Sequence, residues 1–104
     1  MKDINGFLEM NKDAIKDIIE KFDVKREFSS HDFIEEFSAK FESDYIEMLV
    51  GYQNTGIAFQ TVHKIIAKFL SINSTNLNIN KTKRKGSENV HGKIDNIQWW
   101  IRIN

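Results

Sequence analysis

The sequence predicts an α+β fold in which three to four helices precede a C-terminal antiparallel β-hairpin. Apolar residues recur with a period of about 3.6 through most of the chain, which is typical of amphipathic helices. In the last third of the chain the period changes to two, which is typical of strands. The 104 residues provide for one hydrophobic core, so we expect a single domain over residues 1–104.

The first helix is predicted over residues 4–22. Its apolar positions fall on one helical face, while Lys and Asp alternate on the other, and Asn11 is the one polar gap. Residues 24–28 are too few for a helix and are expected to form a brief extended segment. Ser29 or Ser30 is the expected N-cap of the helix that follows.

Three further helices are expected, over residues 30–41, 44–52 and 57–70. The turn-forming residues at 53–56 separate the last two. Residues 77–82 and 97–103 alternate apolar and polar side chains and are predicted to pair as antiparallel strands around a polar loop. The side chains predicted to be mostly buried are Phe37, Ile65, Ile66, Phe69 and Trp99.

Charge is distributed unevenly along the chain, although 15 basic and 15 acidic side chains balance in total. Residues 1–50 hold seven basic and thirteen acidic side chains, a net charge of −6. Residues 51–104 hold eight basic and two acidic ones, a net charge of +6. Such an asymmetry indicates an anionic partner for the basic half, although two halves that merely attract each other would show it as well.

Several classes of protein are disfavoured by what the sequence lacks. There is no cysteine, which rules out disulfides and thiolate metal sites. The three histidines, His31, His63 and His91, are not spaced as a helical metal pair, so neither a metal nor a cofactor is expected. The carboxylates follow solvated helix faces and are not gathered among apolar neighbours, so we do not expect an enzyme. No apolar stretch resembles a signal peptide or a membrane span, so the expected location is the cytoplasm.

The order of elements (helix, short extended segment, helices, strand, basic loop, strand) resembles a winged helix-turn-helix domain. The resemblance implies double-stranded DNA binding, with control of transcription as the expected purpose, and it implies that the last helix enters the major groove. By position, the groove-facing residues are Gln60, Thr61, Lys64 and Lys68. By position, the residues of the hairpin, or wing, that meet the backbone are Lys81, Lys83, Arg84, Lys85 and Lys93.

The chemistry of these side chains supports the same roles without the resemblance. Gln60 matches the exposed edge of adenine, and Thr61 offers a hydroxyl and a methyl group to thymine. Alternation along the first strand predicts that Lys81 and Lys83 project together. Each cation that neutralises a phosphate adds affinity by releasing counterions, without reading sequence.

An alternative from another class is a protein-interaction module, an adaptor or inhibitor that uses the acidic N-terminal half. In that case the acidic surface covers a basic site on a partner protein. The wide apolar stripe of the first helix also leaves a homodimer open, although core packing explains the stripe equally well.

Overall fold

The computed structural model describes residues 3–88 and 94–103 and confirms an α+β fold. A short 3-10 turn, Gln53–Thr55, separates the fourth helix from the fifth. In chain order, the elements of the described residues are α1 (Ile4–Met10), α2 (Lys12–Ile19), β1 (Glu27–Ser29), α3 (Ser30–Lys40), α4 (Glu42–Gly51), α5 (Ala58–Ile72), β2 (Ile79–Glu88) and β3 (Ile94–Arg102).

The prediction of one continuous helix over 4–22 is wrong, because the chain breaks at Asn11. Its backbone dihedrals are φ −111° and ψ 23°, outside the helical region. The Asn11 side chain donates a hydrogen bond from Nδ2 to the carbonyl oxygen of Phe7, at 2.8 Å. An asparagine side chain that bonds the preceding turn in this way competes with the helical backbone pattern. Two shorter helices result, and their apolar faces still point to one core.

The start of α3 is fixed by a capping box. The Ser29 hydroxyl accepts from the backbone N–H of Asp32 at 3.0 Å, and the Asp32 carboxylate accepts from the N–H of Ser29 at 2.9 Å. Ser29 also ends β1, so strand and helix follow each other without a loop. The expected serine cap is therefore confirmed, with Ser29 in that role.

The helix α5 begins after a tight turn. Gly56 adopts the left-handed region with φ 76°, which favours glycine. The hydroxyl of Thr55 accepts from the N–H of Ile57 at 3.1 Å. These two residues turn the chain out of the 3-10 segment, so α5 begins within one residue of the predicted position and runs two residues further.

The strands of the described residues form an antiparallel sheet in the order β1–β3–β2. Phe28 of β1 is opposite Trp100, and Ile79 of β2 is opposite Arg102. The antiparallel pairing of the two C-terminal strands is confirmed. The strand β2 nevertheless continues to Glu88, through the first part of the predicted loop. Alternation of apolar and polar residues does not predict this extension. Residues 81–84 are exposed and polar on both faces of the strand, so no alternation is present there.

The core lies between the helices and the face of the sheet that carries Phe28, Ile79 and Trp100. The predicted burial of Phe37, Ile66 and Phe69 is confirmed. Ile65 packs against the core but stays partly exposed.

The sequence does not single out Trp100 as the fully buried tryptophan of β3. Trp100 is 1% exposed, whereas Trp99 is half-buried. Neighbouring residues of a strand point to opposite faces, so only one of the two can enter the core. The Trp100 indole N–H donates to the hydroxyl of Ser30 at 3.1 Å, and this hydroxyl gives the buried ring its polar partner.

Among the residues that the structure describes, no helix combines the length and the apolar character needed to cross a bilayer.

Replacing Trp100 by Ala should lower the free energy of unfolding by about 3–5 kcal/mol, because it empties a fully buried site. Replacing Trp99 by Ala should cost clearly less, since its ring is partly in solvent already. Urea denaturation of both variants measures the difference. Equal losses would contradict the assignment of the core face of β3.

Candidate nucleic-acid interface

A cleft of about 620 Å³ lies between the first turns of α3, the N-terminal half of α5 and the β2–β3 hairpin; we call it the α5–hairpin cleft. Its apolar lining consists of Ile34, Ile57, Ala58, Phe59, Ala67 and Ile97, next to Gly56. Its polar lining consists of Ser30, His31, Gln60, His63, Lys64, Arg84 and Gln98. Lys64 and Arg84 are cations, and among the described residues no carboxylate lines the cleft.

One wall of the cleft is the solvent-facing stripe of α5. Gln60, Lys64 and Lys68 are exposed and follow one another at intervals of four residues, so they lie on one side of the helix. The opposite stripe, which includes Val62 and Ile66, is fully buried. Packing of that apolar stripe therefore fixes the rotation of α5 and presents Gln60 and Lys64 to the cleft.

The other wall depends on a β-bulge in β2. Lys81 is opposite Trp100, but the next aligned pair is Arg84 with Gln98, so β2 holds one extra residue between them. Directly opposed residues in an antiparallel sheet share a face. Arg84 consequently takes the position that strict alternation assigns to Lys83. The alternation from which Lys81 and Lys83 are predicted to project together is interrupted here, and their shared direction stays a prediction.

The structure brings three of the predicted site residues, Gln60, Lys64 and Arg84, into one cleft. Lys68, Lys81 and Lys83 are exposed but are not part of its lining.

Three other predicted site residues are placed less directly. Thr61 is half-buried at the side of the α5 stripe. The backbone of Lys85 pairs with Ile97 in the hairpin. Lys93 lies outside the described residues.

Sequence reasoning missed the aromatic part of the cleft. The ring centroids of Phe59 and His63 are 3.8 Å apart, and His31 lies 6.3 Å from His63. Ser30 also has a second role, since its hydroxyl donates to the carbonyl oxygen of Gln98 at 3.3 Å. His31 and His63 come from helices that are distant in sequence, so no spacing rule indicates their proximity.

His63 is buried, with 9% of its surface exposed. Its Nε2 lies 2.6 Å from the phenolic oxygen of Tyr45 on α4. Burial raises the pKa of Tyr45 from 10.0 to about 12, so the phenol keeps its proton at physiological pH. A protonated phenol and a buried imidazole nitrogen are thus joined by one hydrogen bond.

This contact links α4 to the cleft. The Tyr45 hydrogen bond holds the plane of the His63 ring, against which Phe59 packs. Within residues 3–88 and 94–103, no group of three or more His, Cys, Asp or Glu side chains is arranged to hold a metal ion. The cleft therefore offers hydrogen bonds, positive charge and aromatic surface.

No family model matches the chain, and neither a curated protein nor a solved structure is similar to it. We therefore infer the function from the geometry of the cleft.

Replacing Tyr45 by Phe should destabilise the fold at pH 7 by about 1–3 kcal/mol, because it removes the partner of a buried imidazole nitrogen. The raised pKa means that the folded protein holds the phenolic proton more tightly than the unfolded chain does. The stability that the folded state gains from the protonated phenol of Tyr45 is fully present below pH 10 and is lost as the pH rises towards 12. The stability difference between parent and variant should therefore narrow over that range in denaturation curves.

A Tyr52→Phe variant is the matched control, because it removes a half-buried phenol outside the contact with His63. It should cost less than Tyr45→Phe at pH 7. A Tyr45→Phe protein as stable as the parent at pH 7 would contradict the role assigned to this hydrogen bond.

Proposed function

We propose that the chain binds double-stranded DNA as a winged helix, with α5 in the major groove and the β2–β3 hairpin on the adjacent backbone. The observation that carries the proposal is the α5–hairpin cleft. Gln60 and Lys64 line it together with Arg84, and its described lining combines two cations with no carboxylate. Control of transcription is the purpose that we propose for this binding.

The arrangement of elements supports the same proposal. A helical segment, β1, α3, α4 and α5 precede the hairpin, an order that resembles a winged helix with one added helix, α4. The strand β1 pairs with β3 and leads directly into α3, which ties the hairpin to the helical part of the domain. The hairpin is thereby held beside α5, where both elements reach one DNA duplex.

The two walls of the cleft are suited to different parts of the duplex. Lys81, Lys83 and Arg84 are exposed along β2, and cations on a hairpin meet phosphates without reading sequence. Gln60 is exposed on a helix, where its amide is able to form two hydrogen bonds with the major-groove edge of adenine. The hairpin thus contributes affinity and α5 contributes specificity.

Replacing Lys64, Lys83 and Arg84 together by Gln should weaken binding to every duplex by a similar factor. It should also flatten the slope of log affinity against log salt by up to about three units, near one unit for each phosphate that is no longer neutralised. Fluorescence anisotropy with a random-sequence duplex across a salt series measures both effects.

The charge-matched control replaces Lys12, Lys16 and Lys40 by Gln. These residues lie on α2 and at the last turn of α3 and do not line the cleft. The control should keep a salt slope close to that of the parent. If both triple variants bind more weakly to the same extent, binding depends on overall charge and the proposed surface is wrong.

Replacing Gln60 by Ala should act differently. We expect a loss of about 1–3 kcal/mol on the preferred site and little change on random DNA, since an amide that reads a base adds little elsewhere. The salt slope should stay near that of the parent. Selection of preferred duplexes from a random pool, followed by anisotropy, checks this. An equal loss on both DNAs would show that Gln60 does not read a base.

A second candidate function, protein interaction, is favoured by the exposed face of α4. Ile46 and Val50 are each 51% exposed one turn apart, next to the exposed side chains of Glu42 and Glu47. A surface of mixed apolar and acidic character suits a basic protein partner. Retention on heparin at low salt separates the two candidates. A DNA-binding protein is retained through its basic surface, whereas a protein that works through its acidic face is not.

A further inference from the structure

The α5–hairpin cleft has more apolar surface than contact with a phosphate backbone uses. Ile57 is 53% exposed at its edge, and Phe59 and Ile97 are half-buried in its lining. A duplex backbone presents charged and polar groups, which leave such surface uncovered. The volume of about 620 Å³ lies within the usual range for sites that bind small organic molecules, roughly 300–1,000 Å³.

The lining of the cleft also combines aromatic, cationic and hydrogen-bonding groups, which a binding site for an aromatic anion requires. Phe59 and His63 form an aromatic pair whose ring centroids are 3.8 Å apart. Lys64 and Arg84 supply positive charge from the two opposite walls. The amide of Gln60 supplies both a donor and an acceptor, the pair of groups that the edge of a nucleobase requires.

We propose that the α5–hairpin cleft binds one unpaired nucleotide, with the base on the Phe59 and Ile57 side and the phosphate between Lys64 and Arg84. The nucleotide has two possible sources, an unpaired position in a DNA strand and a free mononucleotide. The DNA source rests on the function proposed above, whereas binding of a free nucleotide does not.

The nucleotide site shares side chains with the proposed DNA surface. Gln60, Lys64 and Arg84 contact DNA in the proposed complex and contact the nucleotide in the cleft. A free mononucleotide and a fully paired duplex therefore compete for the same side chains. An unpaired nucleotide within a duplex uses the cleft and the surrounding cations together and gains affinity from both.

The experiment uses the full chain and three probes in isothermal titration calorimetry: dAMP, deoxyadenosine and inorganic phosphate. Binding of dAMP should be clearly tighter than that of either part alone. In parallel, anisotropy compares a fully paired duplex with the same duplex carrying one extra, unpaired adenine. The unpaired adenine should raise affinity by about fivefold or more, the lower limit expected for stacking of one base on an aromatic side chain.

The discriminating variant is Ile57→Glu, with Ile46→Glu as its control. The two isoleucines are exposed to almost the same extent, 53% and 51%, but only Ile57 lines the cleft. A carboxylate at the start of α5 is compatible with the helix dipole, so the variant should fold, which thermal melting checks. Ile57→Glu should weaken dAMP binding about tenfold through repulsion of the phosphate, and Ile46→Glu should leave it within about twofold of the parent.

Each outcome bears on the proposal. Binding of dAMP without a gain from the unpaired adenine supports the free nucleotide as the source. A gain from the unpaired adenine that Ile57→Glu removes supports the DNA strand, even if dAMP binds too weakly to detect. The proposal is overturned if dAMP does not bind and both duplexes bind equally. If the chain binds dAMP but binds neither duplex, only the proposed DNA function is overturned.

Discussion

The position of the α5–hairpin cleft depends on the pairing of β1 with β3. The centre of this pairing is the buried Trp100, opposite Phe28, and its indole N–H donates to the hydroxyl of Ser30 in the first turn of α3. The same hydroxyl donates to the backbone of Gln98, two residues along β3. One serine thus fastens the last strand to the start of a helix at two points. The hairpin is held against the helical part at the place where the cleft opens.

The elements that form the cleft pack against the core on one face and are exposed to solvent on the other. The buried stripe of α5 fixes which side chains of that helix remain outside, and the bulge in β2 turns Arg84 towards Gln98. A bulge is a local change that re-aims a side chain without altering the sheet around it. In a regular strand of the same sequence, without the bulge, Lys83 would be opposite Gln98, and its ammonium group has no planar fork for a phosphate. Backbone pairing therefore determines that Arg84, and not Lys83, is opposite Gln98.

The sequence predicts the element types well because periodicity and capping are local properties. The capping box at Ser29, the position of α5 and the antiparallel hairpin follow from neighbouring residues. The break at Asn11 and the burial of Trp100 depend on particular side-chain contacts. Other sequences with the same pattern of apolar and polar residues would not make these contacts, so the pattern alone does not predict them. Of the candidate site, Gln60, Lys64 and Arg84 were predictable from charge and helical spacing. The contact of His63 with Tyr45 was not, because it joins two helices, whereas Phe59 and His63 lie one turn apart on α5 and their contact follows from helical spacing.

A net charge of zero is compatible with binding an anion because charge acts over a short range in salt solution. At physiological ionic strength, interactions between exposed charges are largely screened beyond about 8 Å. Ion pairs such as Lys21 with Glu36 and Lys12 with Glu9 join residues of the acidic half to each other, and those residues do not line the cleft. A phosphate at the cleft is therefore governed by the side chains within a few ångströms of it. In the described lining those are Lys64 and Arg84, with the amide and imidazole groups around them. The proposed binding of nucleic acid therefore depends on the segregation of charge and not on its total.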